Sequence, residues 1–414
     1  MRRQTKKNTL PPKCQKILRN QVIDDRQPGT ILQDFETLLT FVQENAPVTV
    51  TKSTALLSMK YLPQLNERLS HPIKLDLKRP GHKSLPNVVG LYLLLRASGL
   101  AYIEGGGAKQ RVVTDEAVLE SWQQLTPTER YFSLLETWVI RALPEIIGER
   151  KGGIFGNLLY TWSTFFQRIP ESGKTIEGDD EEARMLRYFP GGAALCLLEM
   201  FGFITIHDAD PEPGKGWRIL SVEKTPLGEA MLIVLLSDEI DTLEDILLFQ
   251  EKPIEETFGM LQPKFQPFFP EWQKNLTLST PEIREGTYIV KVSLGNVWRR
   301  IAIPGNLDMD WLSSVILNAF QFDHDHLYSF RYKNRFGLET EINHPYVEEP
   351  LFADEVAVQE VLRQPGMSMI FLYDFGDNWE FTVELERIDP VDPRLKKPKI
   401  LEKHGKAPEQ YAYW

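Results

Sequence analysis

Cysteine is scarce in this 414-residue chain: Cys14 and Cys196 are its two thiols, and no C-x-x-C is present. Neither a disulfide framework nor a structural zinc site is expected from so little sulfur. Long apolar runs are also missing. Stretches such as Met231-Leu232-Ile233-Val234-Leu235-Leu236 fall far short of a bilayer span, and the N-terminus has no apolar signal core. No membrane association is expected, and the reducing cytoplasm is the expected compartment. Positive charge is in deficit, with 47 Lys and Arg against 58 Asp and Glu, a net charge of -11 and a pI near 5.3. That balance argues against a general nucleic-acid binder, although a local basic patch is compatible with it. No Ser/His/Asp elbow, activated cysteine, P-loop or zinc motif occurs. Gly105-Gly106-Gly107 lacks the Lys-Ser/Thr of a phosphate loop and the spacing of a dinucleotide fingerprint. These absences favour a non-enzyme with no cofactor.

What is present describes a multidomain globular chain. The length exceeds one ordinary core and predicts two or three domains, and 42% hydrophobic and 25% charged residues are ordinary globular values. Residues 1–28, opening Met1-Arg2-Arg3-Gln4-Thr5-Lys6-Lys7 and carrying Pro11-Pro12, read as a flexible basic tail. A helical domain is expected over 29–168. Its first helix follows Thr30, with Gln33 completing a capping box and Ile31, Phe35, Leu38, Leu39 and Val42 on one face. A weaker helix over Ala55–Leu69 is interrupted by Pro63. Thr126-Pro127-Thr128-Glu129 combines an N-cap, a first-position proline and a capping-box glutamate. Trp162, Phe165 and Phe166 read as core in a helix from Leu158 to Phe166. An acidic linker is expected over 169–184, an acidic amphipathic helix over Ile240–Phe249, and a Pro- and Phe-rich linker over 253–276.

One pattern occurs twice. Val88 to Ser98 is an apolar helix stopped by Gly99; a strand Leu100–Ile103, a glycine turn, a return strand Arg111–Val113 and a helix at Thr114 follow. The second copy runs from Gly192 to Phe201, through Gly202-Phe203-Ile204-Thr205-Ile206, the turn Pro211–Gly216, Trp217–Leu220 and Thr225-Pro226. This order resembles a winged-helix module, with the second copy expected over 185–252. A DNA-reading helix is polar and basic, whereas both helices in that position are almost wholly apolar. They are expected to be buried, in modules that are structural or bind protein.

The C-terminal residues 277–414 read strand, strand, helix, strand, helix, strand, strand, which predicts an α+β domain with helices on one mixed sheet. The helices are expected over Met309–Phe320 and Val356–Leu362. The densest polar stretch is Tyr373-Asp374-Phe375-Gly376-Asp377-Asn378-Trp379-Glu380-Phe381, between two strands. Asp374, Asp377 and Glu380 gather around a glycine able to take φ > 0, with Tyr373 and Trp379 beside them. Such a group suits a polar ligand, acid-base work or a metal; the plainer alternative is a hairpin whose Asp side chains cap turn amides. In Phe322-Asp323-His324-Asp325-His326 an extended backbone would put His324 and His326 on one face. If His326 meets Asp374, Asp377 and Glu380 in space, a mixed nitrogen and oxygen site for a divalent ion follows, walled by Trp379 and Tyr373.

These blocks together resemble the plasmid ORF-three-like family, a domain named from an Ri-plasmid reading frame and found as a passenger of insertion elements. The resemblance rests on Tyr288–Leu294 with Val297–Pro304 as the opening hairpin, Leu312–Phe320 as the first helix and His326–Phe330 as the next strand. The Tyr373–Phe381 signature, Lys397–Leu401 and Gly405–Glu409 complete it. It covers roughly the last third of the chain. A histidine commonly follows the Trp-Glu pair in this family, and Phe381 stands there instead. The resemblance implies a fold and no settled activity. The expected function is that of a non-catalytic cytoplasmic binding or accessory protein, linked by family to mobile elements, with a protein partner. The ligand-binding candidates are Tyr373, Asp374, Asp377, Trp379, Glu380 and His326. The alternative is a metal-dependent enzyme, acting on nucleic acid, that uses the Tyr373–Phe381 carboxylates. A third reading is an accessory factor touching DNA through the basic tail or Arg299-Arg300.

Overall fold

The structure is a computed structural model that describes residues 10–105, 109–149, 158–176, 181–236, 257–279 and 282–411. It divides into two compact units, residues 1–104 with 110–279, and residues 105–109 with 280–414. The first nine residues of the basic tail, the Gly106-Gly107 part of the glycine turn, Glu177–Asp180 and the helix expected over Ile240–Phe249 lie outside the described residues.

The first unit opens with α1 (Pro12–Asn20), whose Cys14 and Leu18 are buried, so this part of the expected tail is a docked helix. Helix α2 (Ile31–Glu44) buries Ile31, Phe35, Leu38, Leu39 and Val42, the face expected from their spacing. Its capping box does not form. Thr30 has φ −99° and ψ 4°, away from the extended backbone that turns an N-cap hydroxyl toward the following amides. Strand β1 (Val48–Thr49) and α3 (Leu62–Arg68) come next, and Pro63 sits in the first turn of α3, where its missing N–H costs nothing.

Then α4 (Pro86–Ala97) leads into the antiparallel hairpin of β2 (Ala101–Glu104) and β3 (Arg111–Thr114), and α5 (Glu116–Gln123) begins at Asp115, whose carboxylate accepts the Val118 N–H. In α6 (Pro127–Glu136) the Thr126 hydroxyl accepts the Glu129 N–H at 3.3 Å, and the Glu129 carboxylate accepts the Thr126 N–H at 2.8 Å.

The second passage repeats this order. It runs α7 (Leu158–Gln167), β4 (Lys174–Thr175), α8 (Glu181–Leu186), α9 (Gly192–Met200), the hairpin β5 (Ile204–Asp208) and β6 (Ile219–Lys224), and α10 (Pro226–Leu236). Residues 174–175, placed by the sequence in an acidic linker, are thus a strand. The two small sheets have matching orders, β1-β3-β2 and β4-β6-β5.

Helices α4 and α9 are buried against each other. A Cβ on Gly90 would lie 3.0 Å from Leu197 Cγ and 3.3 Å from the Ala193 carbonyl oxygen, so the absence of a side chain there sets how closely the helices approach. Residues 257–276 are no linker. Phe265, Phe269 and Trp272 are buried in this unit's core, with Trp272 stacked on Phe132 at 4.4 Å, because Glu129 accepts the N–H groups of Gln273 and Lys274 and ties the segment to α6.

The second unit is one seven-stranded sheet with helices on one face. Its strands are β7 (Thr287–Leu294), β8 (Val297–Pro304), β9 (Tyr328–Lys333), β10 (Glu339–Asn343), β11 (Ser368–Tyr373), β12 (Trp379–Asp389) and β13 (Lys399–His404), in the order β10-β9-β11-β12-β7-β8-β13. Every pairing in it is antiparallel, where a mixed sheet was expected. The cause is that β7-β8, β9-β10 and β11-β12 are each closed by a local turn, so none needs a crossover. Helix α11 (Met309–Phe320), with its N-cap Asp308 accepting from Trp311, and the short α12 (Val358–Val361) cover one face. Leu312, Ile316 and Phe320 pack there on Val290, Val292, Phe330, Phe371, Phe381 and Val383.

Candidate functional site

The β11-β12 connection turns within Asp374–Asn378, since Tyr373 still pairs with Trp379. The left-handed residues of the loop are Asp374 (φ 58°) and Asn378 (φ 55°), not Gly376. Short polar side chains tolerate that region by bonding to nearby backbone. Asp374 Oδ1 accepts the N–H of Gly376 at 2.9 Å and of Asp377 at 3.4 Å, and Asn378 Nδ2 donates to the Gly376 carbonyl at 3.3 Å. The Asp374 N–H donates to Leu327 O at 3.0 Å, which joins the loop to the segment entering β9.

That junction brings His326 to Asp374. The imidazole Nε2 lies 3.5 Å from Asp374 Oδ2, 3.6 Å from Asp325 Oδ1 and 3.3 Å from the Tyr411 hydroxyl. Tyr411 also lies 3.1 Å from each Asp325 oxygen and receives the Gln410 side-chain N–H at 2.9 Å. Beneath them Tyr373, fully buried, donates its hydroxyl to the Asp323 carbonyl at 2.6 Å and accepts the His326 N–H at 3.3 Å. Trp379 packs edge-on to Phe322 at 5.0 Å.

The electrostatics follow from this network. Desolvation, then the Asp325 carboxylate, pushes the Tyr411 hydroxyl up to about 12. Desolvation likewise raises Tyr373. Asp325 sits below the usual carboxylate range: its desolvation acts upward but is outweighed by the hydrogen bond from Tyr411 and by His326. A carboxylate facing a phenol that stays protonated is a hydrogen-bonded clamp.

Not every candidate joins the cluster. Asp377 is exposed at the loop tip and contributes its backbone N–H. Glu380 reaches out to Arg331 at 3.0 Å. His324 is exposed and takes no part. Among the described residues no three His, Cys, Asp or Glu side chains are grouped to hold a metal ion. The proposed Asp374, Asp377 and His326 ligand set therefore does not assemble among them: one Asp374 oxygen is committed to loop amides, and Asp377 is exposed at the loop tip. Arg299 and Arg300 are also engaged. Arg299 is buried, donating to the carbonyls of Ala319 and His404, and Arg300 pairs with Glu386 and Glu402. Sequence reasoning did not single out Asp325, Gln410 and Tyr411. Asp325 stood in a stretch marked as polar, but nothing local to residues 410–411 signals that they close on it.

No helix among the described residues is long and apolar enough to cross a membrane. Comparison with known proteins bears on the second unit. An uncharacterized protein, y4hQ, of Sinorhizobium fredii is 32% identical over 127 residues, which cover 29% of this chain and 63% of that protein. The chain thus matches less than two thirds of that relative's length. A crystal structure of a protein of unknown function from Methanosarcina mazei Go1 shares 26% identity over 30% of this chain and 73% of its own, with a TM-score of 0.28. Residues 287–411, the C-terminal third, match the family described as plasmid pRiA4b ORF-3-like protein.

Proposed function

We propose that the chain is a non-catalytic binding protein of the cytoplasm, an accessory factor in the plasmid or insertion-element setting that its C-terminal family suggests. Its first unit is read as two winged-helix-like modules, supported by the repeated helix, strand, helix, helix, hairpin order and the matching three-stranded sheets. The observation that carries the reading is the mutual burial of α4 and α9. These helices hold the position of a DNA-reading helix, and their apolar surfaces are spent on each other, which leaves protein contact as the use of the modules.

The surface offered to a protein partner is the Asp374–Asn378 loop. Asp374 and the Asn378 amide hold its backbone, and Phe375 stands 45% exposed at its tip. An aromatic on a braced loop is the usual form of an interface anchor. The metal-dependent alternative is not favoured, because one Asp374 oxygen is committed to the turn and Glu380 to Arg331.

A photo-crosslinking residue at position 375 of the full chain, exposed to extract of the source cells, tests this. One discrete protein adduct is expected, lost when Asp374→Ala frees the loop. Equal labelling from the same probe at Tyr346, an exposed site elsewhere on the unit, would sink the reading.

A further inference from the structure

Arg299 and Arg300 pair with backbone carbonyls and carboxylates, whereas the cations on the strand beside them do not. β13 ends the sheet and pairs on one side with β8. Arg394, Lys396, Lys397, Lys399, Lys403 and Lys406, on β13 and its flanks, are all exposed, and among the described residues none forms an ion pair with a carboxylate. Of the nearby acids, Glu402 is held by Arg300, and Asp392 Oδ1 accepts the backbone N–H of Arg394 at 2.9 Å. Six cations within residues 394–406 are a sharp local excess in a chain of net charge -11.

We propose that this edge binds the backbone of single-stranded nucleic acid, without sequence preference. An added peptide strand is the other use of a sheet edge, but β13 is poorly made for it. The register of β13 against β8 breaks between Ile400 and Glu402, and Pro398 enters the strand without an N–H. Bulges, prolines and lysines deter strand pairing, so a partner is taken by side-chain charge. Lys399 and Lys403 pair with Ala302 and Arg299 of β8, three residues apart across the bulge, and so stand about 10 Å from each other at about 3.3 Å per residue. That distance spans several phosphates. The single strand is indicated by Trp311, 40% exposed, with Lys397 Nζ 5.8 Å from its ring centre, an aromatic beside a cation on which a base stacks.

The test is anisotropy of a fluorescein-labelled 20-nucleotide DNA of mixed sequence, titrated with the full chain. If all six cations neutralise phosphates, log K falls with log salt at a slope of about −4, a loss of about 300-fold between 50 and 200 mM salt. Lys396→Glu/Lys397→Glu/Lys399→Glu/Lys403→Glu should bind at least a hundredfold more weakly at 50 mM. The four positions are exposed, so circular dichroism and melting temperature should match the parent. Replacing the same four by Gln should give an intermediate loss, and Trp311→Ala about tenfold. No binding by the parent at 25 mM salt overturns the proposal. So does undiminished binding by the Glu variant, which would assign the contact to another basic stretch such as Lys78-Arg79. Equal or tighter binding of the duplex overturns the single-strand assignment. Displacement by a polyglutamate peptide of equal charge at equal concentration overturns it in favour of an acidic protein segment.

Discussion

Phe381→His restores the residue that commonly follows the Trp-Glu pair in the related family, and it should damage this protein. Phe381 is fully buried, with Phe320, Phe322 and Phe371 at ring distances of 4.9, 5.7 and 5.7 Å. The smaller, polar ring gives up about 1–2 kcal/mol of apolar burial. It weakens edge-on ring contacts of about 0.5–1.5 kcal/mol each. An imidazole N–H without an acceptor in this nest of rings adds about 1–3 kcal/mol. The total, about 3–5 kcal/mol, corresponds to a melting transition lowered by about 10–20 °C for a unit of this size.

The deficit should also depend on pH. Burial holds the new histidine below its unfolded value of about 6.5, so the unfolded chain takes up the proton first and the variant loses stability as pH falls through that value. At pH 5 the further loss relative to the parent is about 2 kcal/mol. Calorimetry at pH 8 and pH 5, with hydrogen exchange mapped onto β11 and β12, measures both effects. A variant as stable as its parent, with the same pH dependence, would mean that the core holds a partner for the imidazole and that this account of the aromatic nest is wrong.

Three further changes probe other parts of the fold. Gly228→Ala gains about 1 kcal/mol of helix propensity, but its Cβ would fall 2.1 Å from the Phe203 carbonyl oxygen, where backbone must move. Overpacking costs about 1–3 kcal/mol or more, so thermal unfolding should show a net loss; an unchanged or higher melting temperature contradicts the close approach. Glu129→Ala removes the acceptor for the N–H groups of Thr126, Gln273 and Lys274, and urea unfolding should record about 2–4 kcal/mol. Desolvation acts upward on this carboxyl, but the three backbone N–H groups outweigh it and hold it below its usual value. The difference from the parent should therefore be full at neutral pH and shrink in acid below the usual carboxylate range; a difference that persists there refutes the assignment. Tyr411→Phe should delete a tyrosine that ionises near 12 from the ultraviolet pH titration. If the lost step lies near 10, the clamp with Asp325 does not form in solution.

Periodicity and capping made the long elements legible. The Thr126 capping box, the spacing of Leu312, Ile316 and Phe320, and the helix-hairpin-helix repeat each stand on a regular pattern. What failed was local chemistry that tertiary structure decides. Thr30 has the residue type of a cap but not the backbone angles. Gly376 is the natural residue for φ > 0, yet Asp374 and Asn378 take those conformations because their side chains are braced. β1 and β4 are two residues long, too short for any alternation to show. The prolines and phenylalanines of 263–272 look like a linker by composition, whereas Glu129, over a hundred residues earlier, holds the neighbouring backbone to α6. The candidate site was half legible: Tyr373, Asp374 and His326 do meet, and Tyr411 closes on them only because the fold brings the last residues back.

The place of β12 in the sheet has a consequence for how the chain is made. On one side of it lie β7, β8 and β13, and on the other β11, β9 and β10. The first hairpin, β7-β8, is translated more than seventy residues before its companion strand appears. Until residues 379–389 leave the ribosome, the two halves of the sheet share no strand, and the apolar face of each hairpin has α11 as its shared cover. Such non-local pairing is slow and leaves strand edges open meanwhile. A nascent chain stalled just before Trp379 should therefore be the form most prone to aggregate, and β12 is the keystone whose arrival turns separate hairpins into a single sheet.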